Sequence, residues 1–333
     1  MSTLYVTQQD TVVRKTDERL RVTHKAETIL DVPMLKVSHV VVFGRVTVTP
    51  ATLEALLERH VTVCYLTAHG RYLGRIEPAL SKNVLLRSAQ YRAAFDATCT
   101  LALARQMVQG KLTNMRVLLQ RANRDSAAPA MTQAVAQLRE RLRAVPEATN
   151  LDQLRGLEGA GSATYFGVFD QMLKPSGMRF RQRVRRPPTD PVNALLSFGY
   201  ALLANDIHSA LNTVGFDPYQ GYLHVEHYGR PSLALDLMEE FRPLIVDSVV
   251  LSCINKRILG PEDFTVELGE VHRLTDAARR KFLTQYEERK HTEIQHPIFA
   301  YKASYQRCFE LQARLLAKAL KGEIADYPPF LSR

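Results

Sequence analysis

Hydrophobic positions in the first eighty residues come in short, closely spaced runs. Leu4-Tyr5-Val6, Thr11-Val12-Val13, Leu20-Arg21-Val22-Thr23 and Thr28-Ile29-Leu30 are rich in β-branched residues and often alternate in polarity, as half-buried strands do. Val40-Val41-Val42-Phe43 is continuously apolar, as expected of a strand covered on both faces, with Gly44 and Pro50 punctuating the chain after it. Thr52–Arg59 reads as the one helix of this stretch, and strands follow at Val61–Leu66 and Tyr72–Ile76. This spacing predicts a small β domain over residues 1–80.

From Asn83 onward the apolar period lengthens to that of helices, with few glycines. Helical stretches are expected at Leu85–Val108, Leu112–Ala122, Met131–Val145, Leu151–Leu173, Val192–Val214, Leu233–Arg257, Asp276–Lys290 and Ile298–Leu320. One β-hairpin interrupts them, Phe264–Leu268 with Glu270–Leu274, turning at Gly269. The boundary falls near Pro78–Lys82. The expected fold class is therefore α+β in two domains, a β-rich domain over 1–80 and a larger all-α domain over 83–333. The length of 333 residues with 46% hydrophobic positions is enough for two cores.

No apolar run approaches the ~18 residues of a membrane span, and MSTLYVTQQD lacks the basic and apolar regions of a signal peptide. Cys64, Cys99, Cys253 and Cys308 lie far apart and form no C-x-x-C pair, so they read as small buried hydrophobes in a reducing compartment. A cytoplasmic protein without membrane contact is the expectation.

Net charge is +10, which favours a polyanionic partner. Its distribution is more informative. Residues 86–190 carry 17 Lys/Arg against 8 Asp/Glu, whereas residues 191–333 carry 16 against 18. The segment Lys174–Pro188 concentrates Arg179, Arg181, Arg183, Arg185 and Arg186, with no acid between Asp170 and Asp190. Pro175, Gly177, Pro187 and Pro188 make it a loop between helices, and a guanidinium fork can hold two phosphate oxygens at once.

Familiar nucleotide motifs are absent, with neither a G-x-x-x-x-G-K-[ST] loop nor G-x-G-x-x-G. His224-Val225-Glu226 matches the H-x-E of zinc deaminases, but the required P-C-x-x-C is missing. What remains is a set of carboxylates and one imidazole near turns. Glu158 sits among Gly159, Ala160 and Gly161, small residues that leave room for a close approach. His224 follows the Asp217-Pro218 and Gly221-Tyr222 turns, and Asp236, Glu239 and Glu240 share a helix at i, i+3 and i, i+4 spacing. Each has an ordinary structural explanation when taken alone. Together, one imidazole and two carboxylates without thiolates form a hard ligand set suited to Mg²⁺ or Mn²⁺, able to polarise a phosphodiester and activate a water or hydroxyl.

Four strings carry a further signal: LEGAGSATYFGVF (157–169), RPPTDPVNALLSFGYALL (186–203), GFDPYQGYLH (215–224) and GRPSLALDLMEEFRPLIVD (229–247). In this order they closely resemble the CRISPR-associated endonuclease/integrase family, the larger, universal subunit of the CRISPR adaptation complex. The resemblance implies a homodimer, dimerising through the N-terminal β domain and carrying the metal site in the helical domain. It places the family's metal ligands on Glu158, His224 and Glu239, with Asp236 as a neighbouring acid that either binds the metal or orients another ligand. Many members carry Asp where this chain has Glu239, a side chain longer by one methylene with the same donor oxygens. The implied reaction inserts short DNA fragments into a CRISPR array by 3′-hydroxyl attack at a repeat edge, with a small ferredoxin-like adaptation subunit as partner. Double-stranded DNA would be held by Arg179, Arg181, Arg183, Arg185 and Arg186, with Arg230 and Arg242 nearer the site. Two competing readings are a structure-specific DNA repair nuclease and a non-catalytic DNA-binding scaffold of the same fold.

Overall fold

The computed structural model describes residues 2–332 apart from 80, 125–126, 175–176, 186 and 225–226. The chain divides into two units, Met1–Leu80 and Ser81–Arg333.

The first unit contains two four-stranded sheets. Strands β1 (Ser2–Val6), β5 (Val37–Phe43), β7 (Thr62–Leu66) and β8 (Tyr72–Ile76) lie in the order β1-β5-β7-β8, parallel except for the final pair. Strands β4 (Glu27–Pro33), β3 (Arg19–His24), β2 (Thr11–Thr16) and β6 (Val46–Val48) form the second sheet, antiparallel except for β2 with β6. The Val40–Phe43 run is buried on both faces within central β5, as its unbroken apolarity requires. Helix α1 (Pro50–Glu58) adds Leu56 to a core built on Val13, Leu20, Val22, Val40, Val42 and Val63. Strand β6 escaped sequence reading because three residues are too few to establish a period.

The second unit is helical. Helices α2 (Val84–Phe95), α3 (Ala97–Ala122), α4 (Pro129–Ala144), α5 (Leu151–Gly167) and α6 (Pro191–Val214) come first. They are followed by α7 (Ser232–Met238), α8 (Ser248–Asn255), α9 (Asp276–His291) and α10 (Tyr305–Leu320). The break between α2 and α3 does not fall between Val108 and Leu112, where the expected helices are divided. It lies at Asp96, whose carboxylate accepts from Thr98 N at 2.8 Å and Cys99 N at 3.1 Å and so starts a new helix. Gly110 sits mid-helix because Glu240 passes there: a Cβ would lie 2.7 Å from Glu240 Cγ.

The single helix expected over Leu233–Arg257 is α7, a loosened turn, a π-helical turn at Pro243–Asp247, and α8. Pro243 has no N–H to donate, and the wider turn absorbs the missing bond. The expected hairpin is present as β9 (Phe264–Glu267) and β10 (Val271–Leu274). A second one pairs β11 (Glu293–Gln295) with β12 (Lys302–Ser304); β12 and the turn before it take up residues 298–304, expected at the start of the last helix, which begins only after the Ser304 cap. Cys64, Cys253 and Cys308 are buried, but Cys99 is exposed in the first turn of α3, correcting the expectation of four buried thiols. Among the described residues no helix is long and apolar enough to cross a membrane.

Candidate active site

Two helices bring the first carboxylate into place. Asn150 caps α5 by accepting from Gln153 N at 2.9 Å, which fixes the helix that carries Glu158. On the same helix Gly161 faces α3, and a Cβ there would overlap Leu112 Cδ2, so the glycine lets the helices approach closely. That approach brings Lys111, next to Leu112, against Glu158. Its ammonium contacts Glu158 Oε1, which also accepts from Ser162 Oγ at 3.0 Å. Gly159 faces open space, so only one of the two glycines beside Glu158 serves packing.

His224 is held by Asp236, the residue left between two roles by the sequence. Asp236 Oδ2 accepts from Tyr222 N at 2.6 Å and Leu223 N at 3.0 Å, and Oδ1 accepts from His224 N at 3.0 Å. The same Oδ1 lies 2.6 Å from His224 Nδ1. A fully buried carboxylate with four donors around it is saturated, and it acts as a clamp on the loop. Gly221 is required beside it, since a Cβ would stand 2.8 Å from Asp236 Oδ2. Arg155, one turn before Glu158, ties the same loop to α5 by donating to Leu223 O at 2.9 Å. With Nδ1–H committed to Asp236, His224 Nε2 is left facing Glu239 Oε1 at 3.8 Å.

Glu239 follows α7 and is 3% exposed. Its Oε2 lies 2.7 Å from Lys111 Nζ and its Oε1 lies 3.1 Å from Arg242 Nη2. Burial alone would raise its pKa, but Arg242, Lys111 and His224 outweigh burial and hold the carboxyl down at about 2. Oε2 nevertheless makes no hydrogen bond, because the ammonium is close but outside bonding geometry. Distance and angle thus disagree. The distance carries the electrostatics, and the angle identifies an oxygen with unused donor capacity. Among the described residues no three His, Cys, Asp or Glu side chains stand close enough to enclose an ion as they are. Here the cation between the two glutamates is Lys111. Two anionic oxygens, one of them without a hydrogen bond, and a lone-pair nitrogen 3.8 Å away suit a hard divalent ion.

Beside Lys111 and Ser162 opens a cleft of about 360 Å³. Arg181, Arg183, Arg185, Arg242, Phe166 and Tyr200 are among its walls. Arg181 and Arg185 are exposed. Arg183 is not a free surface cation: it donates to Val184 O, Asn193 Oδ1 and Ser197 Oγ at 2.7–3.1 Å, anchoring the loop to α6. Arg183 and Arg242 both lie over the Tyr200 ring, at 5.5 and 4.8 Å. The Tyr200 hydroxyl donates to buried Asp247 Oδ1 at 2.5 Å, and Tyr165 donates to Oδ2 at 2.9 Å. Arg179 is exposed, 3.5 Å from Asp170, and does not line the cleft. Arg230 is half-buried on the turn before α7, and Arg186 falls outside the described residues.

A family model described as CRISPR associated protein Cas1 matches residues 4–288. The chain belongs to the Cas1 family. A CRISPR-associated endonuclease Cas1 from Rhodospirillum rubrum is 42% identical, covering 99% of this chain and 98% of its own. A Chlorobaculum tepidum relative of the same name is 39% identical, covering 100% and 99%. A Cas4 exonuclease/Cas1 endonuclease fusion from Geobacter sulfurreducens is 41% identical over 99% of this chain, which spans only 60% of the fusion. The Thermotoga maritima CAS1 structure superposes with a TM-score of 0.82 at 25% identity over 100% of both chains. A casposase bound to its integration product shares the fold, with a TM-score of 0.86 at 21% identity over 100% of this chain and 95% of that one. This Cas1-family chain is accordingly an endonuclease of CRISPR systems, as its relatives are named.

Sequence reading missed Lys111, Ser162, Arg155 and Tyr200. Lys111 left one usable signal, a lysine at i+4 from Met107 and i−4 from Met115, on the apolar stripe of a helix. The other three carry no comparable mark, since their roles depend on what other elements bring against them.

Proposed function

We propose that this chain is the metal-dependent nuclease and integrase of CRISPR adaptation, holding Mg²⁺ or Mn²⁺ through Glu158, His224 and Glu239. One observation carries the reading: Glu158 on α5 and Glu239 at the end of α7 share the Lys111 ammonium, and His224 Nε2 lies 3.8 Å from Glu239 Oε1. The bound ion would polarise a phosphodiester oxygen and lower the pKa of the attacking hydroxyl or water. The protein's own groups do the rest. Asp236 fixes His224 in the tautomer that offers Nε2. Arg242, stacked on Tyr200, balances Glu239 and reaches the cleft. Arg181 and Arg185 offer exposed guanidiniums to DNA phosphates, while Arg183 holds the loop that presents them.

Short duplex fragments are the proposed donors, with attack by their 3′-hydroxyls on a CRISPR repeat edge. A solved Cas6-RT-Cas1–Cas2 complex contains a chain that matches 99% of this one with a TM-score of 0.84 at 25% identity, although this chain spans 36% of it. This supports a small adaptation subunit as partner. We also propose a homodimer through the first unit, which leaves Ile29, Leu30 and Leu35 exposed, and a cytoplasmic location.

Integration of a labelled duplex into a supercoiled plasmid bearing a repeat, with and without the small subunit, tests the reading. Glu158→Ala should abolish both integration and cleavage. Full activity in that variant refutes the site. Cleavage of branched DNA without any integration would favour a repair nuclease, and DNA binding without chemistry in the unmodified chain would leave only a scaffold. For the loop, Arg181→Ala with Arg185→Ala should lower the log–log salt slope of DNA binding by about two, one per lost phosphate contact. An unchanged slope removes the loop from the interface.

A further inference from the structure

Lys111 is only 4% exposed, yet it belongs to two places. Its ammonium contacts Glu158 and stands 2.7 Å from Glu239, and its side chain also lines the arginine cleft. Its fit between the carboxylates is electrostatic and incomplete, because Glu239 Oε2 receives charge from it without a hydrogen bond. Neighbouring Glu240, by contrast, is held by neutral donors alone, Tyr327, Gln312 and Phe330, with no cation to be exchanged.

We propose that the Lys111 ammonium is an internal occupant of the cation position, displaced into the arginine-lined cleft when a divalent ion binds, so that metal and DNA binding reinforce one another. The proposal rests on the assignment of Glu158, His224 and Glu239 as metal ligands. Charge balance drives it. Without metal, Lys111 and Arg242 neutralise Glu158 and Glu239. A divalent ion among the same oxygens replaces the first cation and repels it, at short range and away from bulk water. The cleft is where the lysine stem already borders open space, and a DNA phosphate there accepts the displaced ammonium. Two-site linkage then requires reciprocity: metal improves DNA binding by the same factor that DNA improves metal binding.

Mn²⁺ binding to the full chain by titration calorimetry tests this, with Lys111→Met, Lys111→Gln and Glu158→Gln as variants. An occupant that fills the site in about nine-tenths of metal-free molecules weakens apparent affinity about tenfold, so both Lys111 variants should bind Mn²⁺ about tenfold more tightly than the unmodified chain. The Mn²⁺-induced rise in unfolding midpoint should also be larger in both, which can be read even where removing the lysine destabilises the metal-free protein. Duplex DNA binding supplies a third readout. The salt slopes of Lys111→Met and the unmodified chain should differ by about one with Mn²⁺ and coincide in EDTA. Unchanged or weaker Mn²⁺ binding in both Lys111 variants, or an equal slope difference in both media, overturns the proposal. Mn²⁺ binding that survives in Glu158→Gln overturns the ligand assignment instead, so the two failures are distinguishable.

Discussion

Glu239 and Glu240 are adjacent, both buried, and face two differently built regions. Glu239 enters a pocket of cations, and Arg242, Lys111 and His224 hold it near pKa 2 against its burial. Glu240 enters a neutral cage against the C-terminal segment. There burial dominates and raises its pKa to about 7, although Phe330 N at 2.6 Å, the Tyr327 hydroxyl at 2.7 Å and Gln312 at 3.2 Å all donate to it. Asn114 extends the cage by donating to Glu240 O at 2.7 Å and Phe330 O at 2.8 Å. The lesson is that burial, alike at the two positions, does not by itself distinguish the states of the two carboxylates. Their partners do: full charges keep one residue an anion fit to bind a cation, and neutral donors leave the next a structural fastener.

The widest separation between the two regions should come from Glu239→Gln and Glu240→Gln. The first should lower DNA cleavage about 10³-fold in a plasmid nicking assay, while the second, a close mimic of the protonated acid, should stay within a few-fold. Equal losses would erase the distinction. Next in size, Asp236→Asn should weaken Mn²⁺ binding by about 10–100-fold in calorimetry, since it loosens both the His224 tautomer and the loop carrying it.

The burial-dominated side can be sharpened with Asp247, whose pKa is raised to about 6 by burial, which outweighs hydrogen bonds from Tyr200 and Tyr165 and the charges of Arg242 and Arg183. A carboxyl that holds its proton more tightly when folded contributes stability below its unfolded pKa near 4, lost as pH rises through 6. Asp247→Asn should therefore flatten the fall in urea midpoint between pH 4 and 7, a difference of about 2–3 kcal/mol. A slope identical to the unmodified chain counts against it. The smallest effect expected is for Gly110→Ala, which drives a methyl toward Glu240 Cγ. It should cost about 1–3 kcal/mol in denaturant unfolding and leave Mn²⁺ affinity unchanged, because the clash falls on the cage rather than on the cation pocket.

Much of the architecture was legible in the chain. The strand-dense start, the helical remainder and the Gly269 hairpin follow from local period and turn chemistry. The errors share a cause. The pattern divides the helix between Val108 and Leu112, a stretch containing Gly110, whose reason is a side chain 130 positions further along, and misses the Asp96 cap. In the hairpin before α10, strands of three residues are too short to show a period, so β11 is missed and β12 falls inside the expected helix. At the site, the matched strings contain Glu158, His224 and Glu239 but not Lys111, whose ammonium lies between the two glutamates. Sequence does not distinguish a guanidinium open to solvent from one that, like Arg183, is bonded to Asn193 and Ser197.

Sequence by itself determined the order of elements, the surplus of positive charge in the middle third and the kinds of donor atom available. Those depend on residue type and on neighbours a few positions away. Only the tertiary structure decided that Asp236 clamps His224, that Lys111 stands between two glutamates, and that one of two adjacent acids meets cations while the other meets a tyrosine, a glutamine and a backbone amide. Electrostatic state depends on distances through space. The groups that set those distances lie on helices dozens to hundreds of residues apart, where no local pattern records them.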